Sequence, residues 1–202
     1  MTMKVSISVS RKGKGLGAIK NAKKRCRAKV GFPSNPEMSA IATYNEFGWV
    51  QRVTPAQATY LSGRLGYDTI RLGFDKAPVK PNSTLSSPPR PFLRGTLRAQ
   101  ADAWKTEVGN GIKRLGLKGL QAVMQAVGGA AATDVRETIK KGGTRLEQFK
   151  ERSDLTMLLY FAQDNYTQGG NKRKIEADSG DGTRKPLRRS SAMLNAVGFE
   201  VE

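Results

Sequence analysis

Phe92, Leu93, Leu97, Ala101, Trp104, Val108 and Ile112 recur at steps of three and four residues. That spacing predicts a long helix with one apolar side, entered through the rigid Pro88-Pro89-Arg90-Pro91. A second stripe of the same period, Leu117, Leu120, Met124, Val127, Ala131, Val135 and Ile139, predicts a second helix. Gly109 and the region from Gly111 to Gly116 are expected to separate the two, and Gly142-Gly143 to stop the second. Neither stripe can stay in water, so other parts of the chain must cover them.

Alternating segments elsewhere in the chain are candidates for that cover. Met3, Val5, Ile7 and Val9 alternate with Lys4, Ser6, Ser8 and Ser10, and Cys26, Ala28, Val30 and Phe32 alternate with Arg25, Arg27 and Lys29. This period of two predicts an antiparallel pair of half-buried strands. Ile70, Leu72 and Phe74 alternate within Tyr67–Phe74 and predict a third strand. At the other end of the chain Val197, Phe199 and Val201 alternate as a terminal strand, after a helical turn or two around Ser190, Ser191, Met193 and Leu194. Truncation at that end is expected to be costly.

Between these elements, Asn35-Pro36-Glu37 reads as a helix start: Asn35 caps, Pro36 takes the first helical position and Glu37 suits the positive end of the dipole. Met38, Ile41 and Phe47 would form its apolar side, with Ala42 and Tyr44 beside them, and Gly48 would end it. Residues 50–69 carry mixed signals and receive no element. From Ala77 to Pro91 five prolines among serines describe an extended connector barred from a sheet interior. Leu155–Phe161 is strongly apolar but short, either a helix on the core or a contact surface for another subunit; Leu155, Leu158, Leu159 and Phe161 are the candidates for such a surface. Gln168–Lys185, with four glycines, reads as a mobile loop. No repeat of solenoid length is present.

The whole predicts an α+β fold in one domain over residues 1–202: a small antiparallel sheet packed against two long helices, with extended basic loops. At 202 residues and 38% hydrophobic content the chain can form one sizeable core with loops protruding from it.

Charge changes this picture more than composition does. Lys and Arg total 35 against 17 Asp and Glu, a formal net charge of +18, which points to polyanionic partners. Between the first two strands Arg11, Lys12, Lys14, Lys20, Lys23, Lys24 and Arg25 occur with no acidic residue, and Gly13, Gly15 and Gly17 loosen the first half. This basic loop, about 11–25, is the candidate contact to phosphates irrespective of base sequence. A solvated loop, or one paired with acidic patches of a neighbouring subunit, accounts for the same residues.

Catalytic signals are lacking. With no histidine, Ser/His and Cys/His nucleophile pairs cannot form within the chain, and the commonest metal ligand is missing. Cys26 is the single cysteine; it excludes an internal disulfide, and on an alternating strand it reads as a small core residue. Gly13-Lys14-Gly15-Leu16-Gly17 has Ala18 where a dinucleotide fingerprint needs glycine, and it lacks the Gly-Lys-Ser/Thr of a phosphate loop. Asp102, Glu107, Asp134 and Glu137 fall on helix surfaces at ion-pair spacing from basic residues. No base-stacking aromatic set, recognition helix or zinc finger is present. The expectation is therefore no enzyme activity, no cofactor and no metal. The N-terminus lacks the order of a signal peptide, and no apolar run reaches membrane-spanning length, so a protein made in the cytoplasm and without a membrane is expected.

Three stretches, in order, resemble a known family. Ala40-Ile41-Ala42-Thr43-Tyr44-Asn45-Glu46-Phe47-Gly48 is similar to the Ala-x-x-x-Glu-Phe-Gly stretch of the head-tail joining, neck or tail-completion proteins of long-tailed bacteriophages. Pro89-Arg90-Pro91-Phe92-Leu93-Arg94 resembles that family's Pro-x-Arg-Pro-Phe-Leu entry to a long helix, and Ser191–Val201 its C-terminal strand. Arg188-Arg189-Ser190 departs from the family's Asp-Thr-Gly turn, and about 50–75 and about 144–186 look like insertions. The resemblance implies a virion structural protein assembled in the host cytoplasm. Its subunits would form a homo-oligomeric ring at the neck, between the portal or adaptor and the tail tube or tail terminator, around packaged double-stranded DNA. A sequence-nonspecific nucleic-acid-binding protein acting outside a virion is the alternative.

Overall fold

A computed structural model describes residues 2–6, 26–61, 79–153 and 192–202. The basic loop, the predicted strand Tyr67–Phe74, Leu155–Phe161, the glycine-rich 168–185 and Ser190-Ser191 lie outside the described residues.

The elements in order are β1 (Thr2–Ser6), β2 (Arg27–Gly31), α1 (Pro36–Phe47), β3 (Trp49–Arg52), β4 (Thr84–Ser87), α2 (Phe92–Leu115), a 3-10 turn (Leu117–Gly119), α3 (Leu120–Lys141), α4 (Ala192–Ala196) and β5 (Gly198–Val201). The architecture is α+β. Among the described residues β1, β2 and β5 form one antiparallel sheet with β2 in the middle, and β3 and β4 form a separate antiparallel ribbon.

Helix α3 is the middle of the molecule. Val123, Met124, Val127, Gly128, Ala131, Ala132, Val135, Thr138 and Ile139 are all buried on it, a stripe wide enough to face two partners. Helix α2 covers one side, and β2 with β5 the other. Phe92, Leu93, Trp104 and Val108 of α2 join the same core, as do Ala28, Val30 and Phe32 beyond it. Each large apolar side chain so buried contributes roughly 1.5–3 kcal/mol. The polar atoms inside are paired: the Thr96 hydroxyl meets the Thr138 hydroxyl across the two helices at 2.7 Å, and the Trp104 indole donates to Asp134 at 2.8 Å. Asp134 thus serves Trp104, whereas an ion pair with a basic neighbour was the expectation. Glu137 does pair with Lys140 and Lys141, and Asp102 with Lys105.

The sheet can sit close to α3 because two glycines are there. The ring of Phe199 lies across Gly128 and Gly129; a Cβ on Gly128 would stand 2.6 Å from Phe199 Cδ2, and one on Gly129 no nearer than 3.7 Å. Gly128→Ala is therefore expected to cost about 1–3 kcal/mol through displacement of that ring, with Gly129→Ala close to neutral, as read from urea denaturation midpoints.

Several sequence expectations need correction. Helix α2 runs through Gly109 and Gly111, and the chain turns only at Gly116, whose φ is 65°. Gly111 is a packing glycine: a Cβ there would lie 2.7 Å from both methyls of Val123. The connector before Pro88 pairs as β4 with β3, a strand in the stretch that received no element. The ribbon leaves every β3 side chain exposed, so no alternation marked it. After β3, Thr54 and Gln57 exchange side-chain to backbone hydrogen bonds and start a helical run at 55–61. Beyond α3, Phe149 is buried in the core and Arg145 donates to the Ala99 carbonyl at 2.9 Å, so this part of the chain packs against α2 and the core.

Helix α1 starts as expected, with the Asn35 carboxamide accepting from the Met38 amide at 2.9 Å. It faces the other way round, however. Ala42 and Glu46 are its buried residues, Met38 is half-buried, and Ile41, Tyr44 and Phe47 are exposed.

Candidate functional site

The strongest polar constellation among the described residues explains that inversion. The residue at the N-cap of α2 is Pro91, which has no polar side chain to cap the helix, so its first amide groups need acceptors from elsewhere. Glu46, completely buried, supplies them from the last turn of α1: Oε2 accepts from the Leu93 amide at 2.9 Å, and Oε1 from the Arg94 amide at 3.0 Å. A carboxylate at the positive end of a helix is favourable twice over, as acceptor and as charge. The Arg94 side chain completes the arrangement, donating Nε to Glu46 Oε1 at 3.0 Å and Nη2 to the Glu46 carbonyl at 3.1 Å. Its guanidinium also lies 4.5 Å from the centre of the Phe47 ring.

The flanking residues lock the same junction. Gly48 has φ 72°, and a Cβ on it would lie 2.6 Å from the Ser87 carbonyl oxygen and 2.8 Å from the Pro89 nitrogen, so glycine is required for both reasons. The Arg90 amide donates to the Asn45 carbonyl at 2.8 Å. The Arg90 side chain, nearly buried, reaches Ser87 Oγ at 3.0 Å and the Lys150 carbonyl at 3.4 Å. At the C-terminus, Arg136 of α3 donates to the Leu194 and Val197 carbonyls at 3.3 and 2.5 Å, fixing α4 and the start of β5.

No family model matches the sequence, and no curated protein and no solved structure matches it either.

Of the residues singled out in the sequence, Arg11, Lys12, Lys14, Lys20, Lys23, Lys24 and Arg25, and likewise Leu155, Leu158, Leu159 and Phe161, lie outside the described residues. Cys26 is half-buried against the core, and burial pushes its thiol up, away from the reactive thiolate. Among the described residues no group of three or more His, Cys, Asp or Glu could hold a metal ion, and no helix is long and apolar enough to cross a membrane. A cleft of about 710 Å³ opens where α2 turns into α3, walled by Leu115, Ala122, Val123 and Val127 with Lys113 and Arg114. The two cations suit the negative end of α2, where they stand.

Glu46 was not picked out by sequence reasoning as a buried cap. Its signal was the combination of two facts: a carboxylate four residues after Ala42, in register with the half-buried Met38, and a long helix whose entry, Pro89-Arg90-Pro91, offers no capping side chain.

Proposed function

We propose that the chain is a virion structural protein: a neck or tail-completion subunit that forms a homo-oligomeric ring and joins head to tail around the DNA path. The observation that supports this reading best is the Glu46 junction. The two stretches that resemble the phage family, Ala40–Gly48 and Pro89–Arg94, meet there, and their matching residues act as structural locks: Ala42, Glu46, Phe92 and Leu93 are buried, and Gly48 is sterically required. Residues resembling a structural family thus hold a framework together, and none is poised for chemistry.

The charge distribution agrees. Within the described stretches from Cys26 onward, 17 Lys and Arg face 10 Asp and Glu, a net of +7; the remaining +11 of the +18 belongs to the rest of the chain, including residues 11–25. Phosphate attraction without base readout suits a genome that must slide past. The ring's partners on this reading are the portal or adaptor, the tail tube or tail terminator, and packaged double-stranded DNA; no catalytic role, cofactor or membrane belongs to it.

Reversing the charge of Lys23, Lys24 and Arg25 together is expected to leave the melting transition unchanged while particles lose DNA or eject it poorly. Variant particles that package and eject normally would remove these residues from the DNA path. A purified chain that stays monomeric and binds free duplex tightly, with steep salt dependence, would favour a nucleic-acid-binding protein working outside a virion.

A further inference from the structure

The outward side of α1 and the adjoining strand β3 form an apolar surface with a feature that restricts what can cover it. Ile41, Tyr44 and Phe47 follow one another at three-residue steps along the exposed side of α1, and Gly48 leads directly into Trp49 and Val50 of the β3–β4 ribbon. Tyr44 is 61% and Val50 74% exposed. Isolated exposed apolar side chains are ordinary; a succession of five within ten residues, three of them aromatic, has the composition of an interface centre. The helix is held in place by Glu46 and Arg94, so this surface is preformed and loses little freedom on binding.

Its charge is what selects the occupant. From Val30 to Gln51 the chain contains no Lys or Arg, although it carries 35 elsewhere; the acidic residues in that span are Glu37, which is exposed, and the buried Glu46, and the one basic residue of β3 is the exposed Arg52 at its end. Arg94, which does reach Phe47, is neutralised by Glu46. Two copies of a chain with a net charge of +18 repel one another, and apposing cations at a contact is unfavourable. Copies can therefore meet at lower cost where cations are sparse, as along α1, which has none. A polyanion would require the reverse, and an acidic partner would gain nothing from this face.

We infer that the α1–β3 surface, centred on Tyr44, Phe47, Trp49 and Val50, is where a second copy of this chain docks. The inference rests on the homo-oligomeric reading above and gives it a face, but its test is separate from the question of whether the chain belongs to a virion. On this basis association is driven by apolar burial against long-range repulsion, so added salt strengthens it by screening the repulsion.

The test is analytical ultracentrifugation of nuclease-treated full-length protein over a range of concentration and salt, for wild type, Tyr44→Lys and Val50→Lys. Wild type is expected to self-associate, more tightly as salt rises, and each variant to raise the dissociation constant at least about 30-fold, the loss of one interface hot spot. Both changes are at exposed positions, and unchanged melting curves would verify folding. Hydrogen exchange of the wild type serves as a second readout: backbone amides of 41–52 should slow with rising concentration. Wild type that remains monomeric throughout, association that weakens with salt, or variants that associate like wild type with no concentration-dependent protection at 41–52 would each overturn the assignment. In the last case self-assembly would stand and only this face would fall, while particle composition reports on the virion role independently.

Discussion

Glu46→Ala is expected to lower stability by about 3 kcal/mol, because it removes the acceptor of two backbone amides at the start of α2, each costing about 1–3 kcal/mol when left unsatisfied. Leu93 is itself buried, so water does not replace the lost acceptor freely. Arg94 loses its partner too, but its side chain is 43% exposed and can turn to solvent, which keeps the penalty below that of a stranded buried charge. Glu46→Gln retains one acceptor oxygen and turns an amide donor toward a donor, so an intermediate loss is expected. Urea denaturation of the three proteins provides the check: midpoints ordered wild type, Gln, Ala agree, and an alanine variant as stable as wild type would mean the junction contributes nothing. Against a typical total of about 5–15 kcal/mol, a loss of that size decides how much folded protein a cell retains.

Removal of residues 198–202 is expected to be still more damaging. It deletes β5, which pairs with β2 from Gly198 opposite Gly31 to Val201 opposite Ala28, and it breaks the reciprocal backbone bonds between Arg27 and Glu202 at 2.8 and 2.9 Å. The Lys29–Glu202 ion pair goes with it. β2 would become an edge strand, its completely buried Ala28 and Val30 would lose cover on one side, and Phe199 would leave α3. With each backbone bond worth about 1 kcal/mol net and an aromatic contact adding 1–2, the loss should be at least about 4 kcal/mol. The truncated chain should show no cooperative thermal transition near that of wild type; a transition within a few degrees would mean that β2 is held by its other neighbours alone.

The parts of this fold that were legible from the sequence are those whose burial follows a single period. Trp104, Val108, Met124, Val127 and Val135 announced α2 and α3 because each buries a regular stripe, and Ala28, Val30 and Phe32 announced β2 because one of its faces is entirely covered. Asn35-Pro36 marked the start of α1 through capping chemistry that is local to three residues. What failed was decided by distant partners. The direction in which α1 faces depends on Glu46 meeting amides 47 and 48 residues later, and against that bond Ile41, Tyr44 and Phe47 lose their claim on the interior. Glycine was ambiguous for a related reason: Gly111 answers to Val123 on another helix and Gly116 to the backbone turn, yet they read alike. The β3–β4 ribbon has no covered face, so it left no alternation to read. The basic loop could be recognised from its composition alone and lies outside the described residues.

The most direct measurement is electron microscopy of tailed particles assembled with and without this chain, with the subunit located in the complete ones by an added label. If it is a neck subunit, complete particles carry a collar of copies between head and tail surrounding the DNA path, and preparations lacking the chain contain filled or leaking heads and separate tails. Joined, infectious particles formed without it, or a label found away from the head-tail junction, would contradict that role.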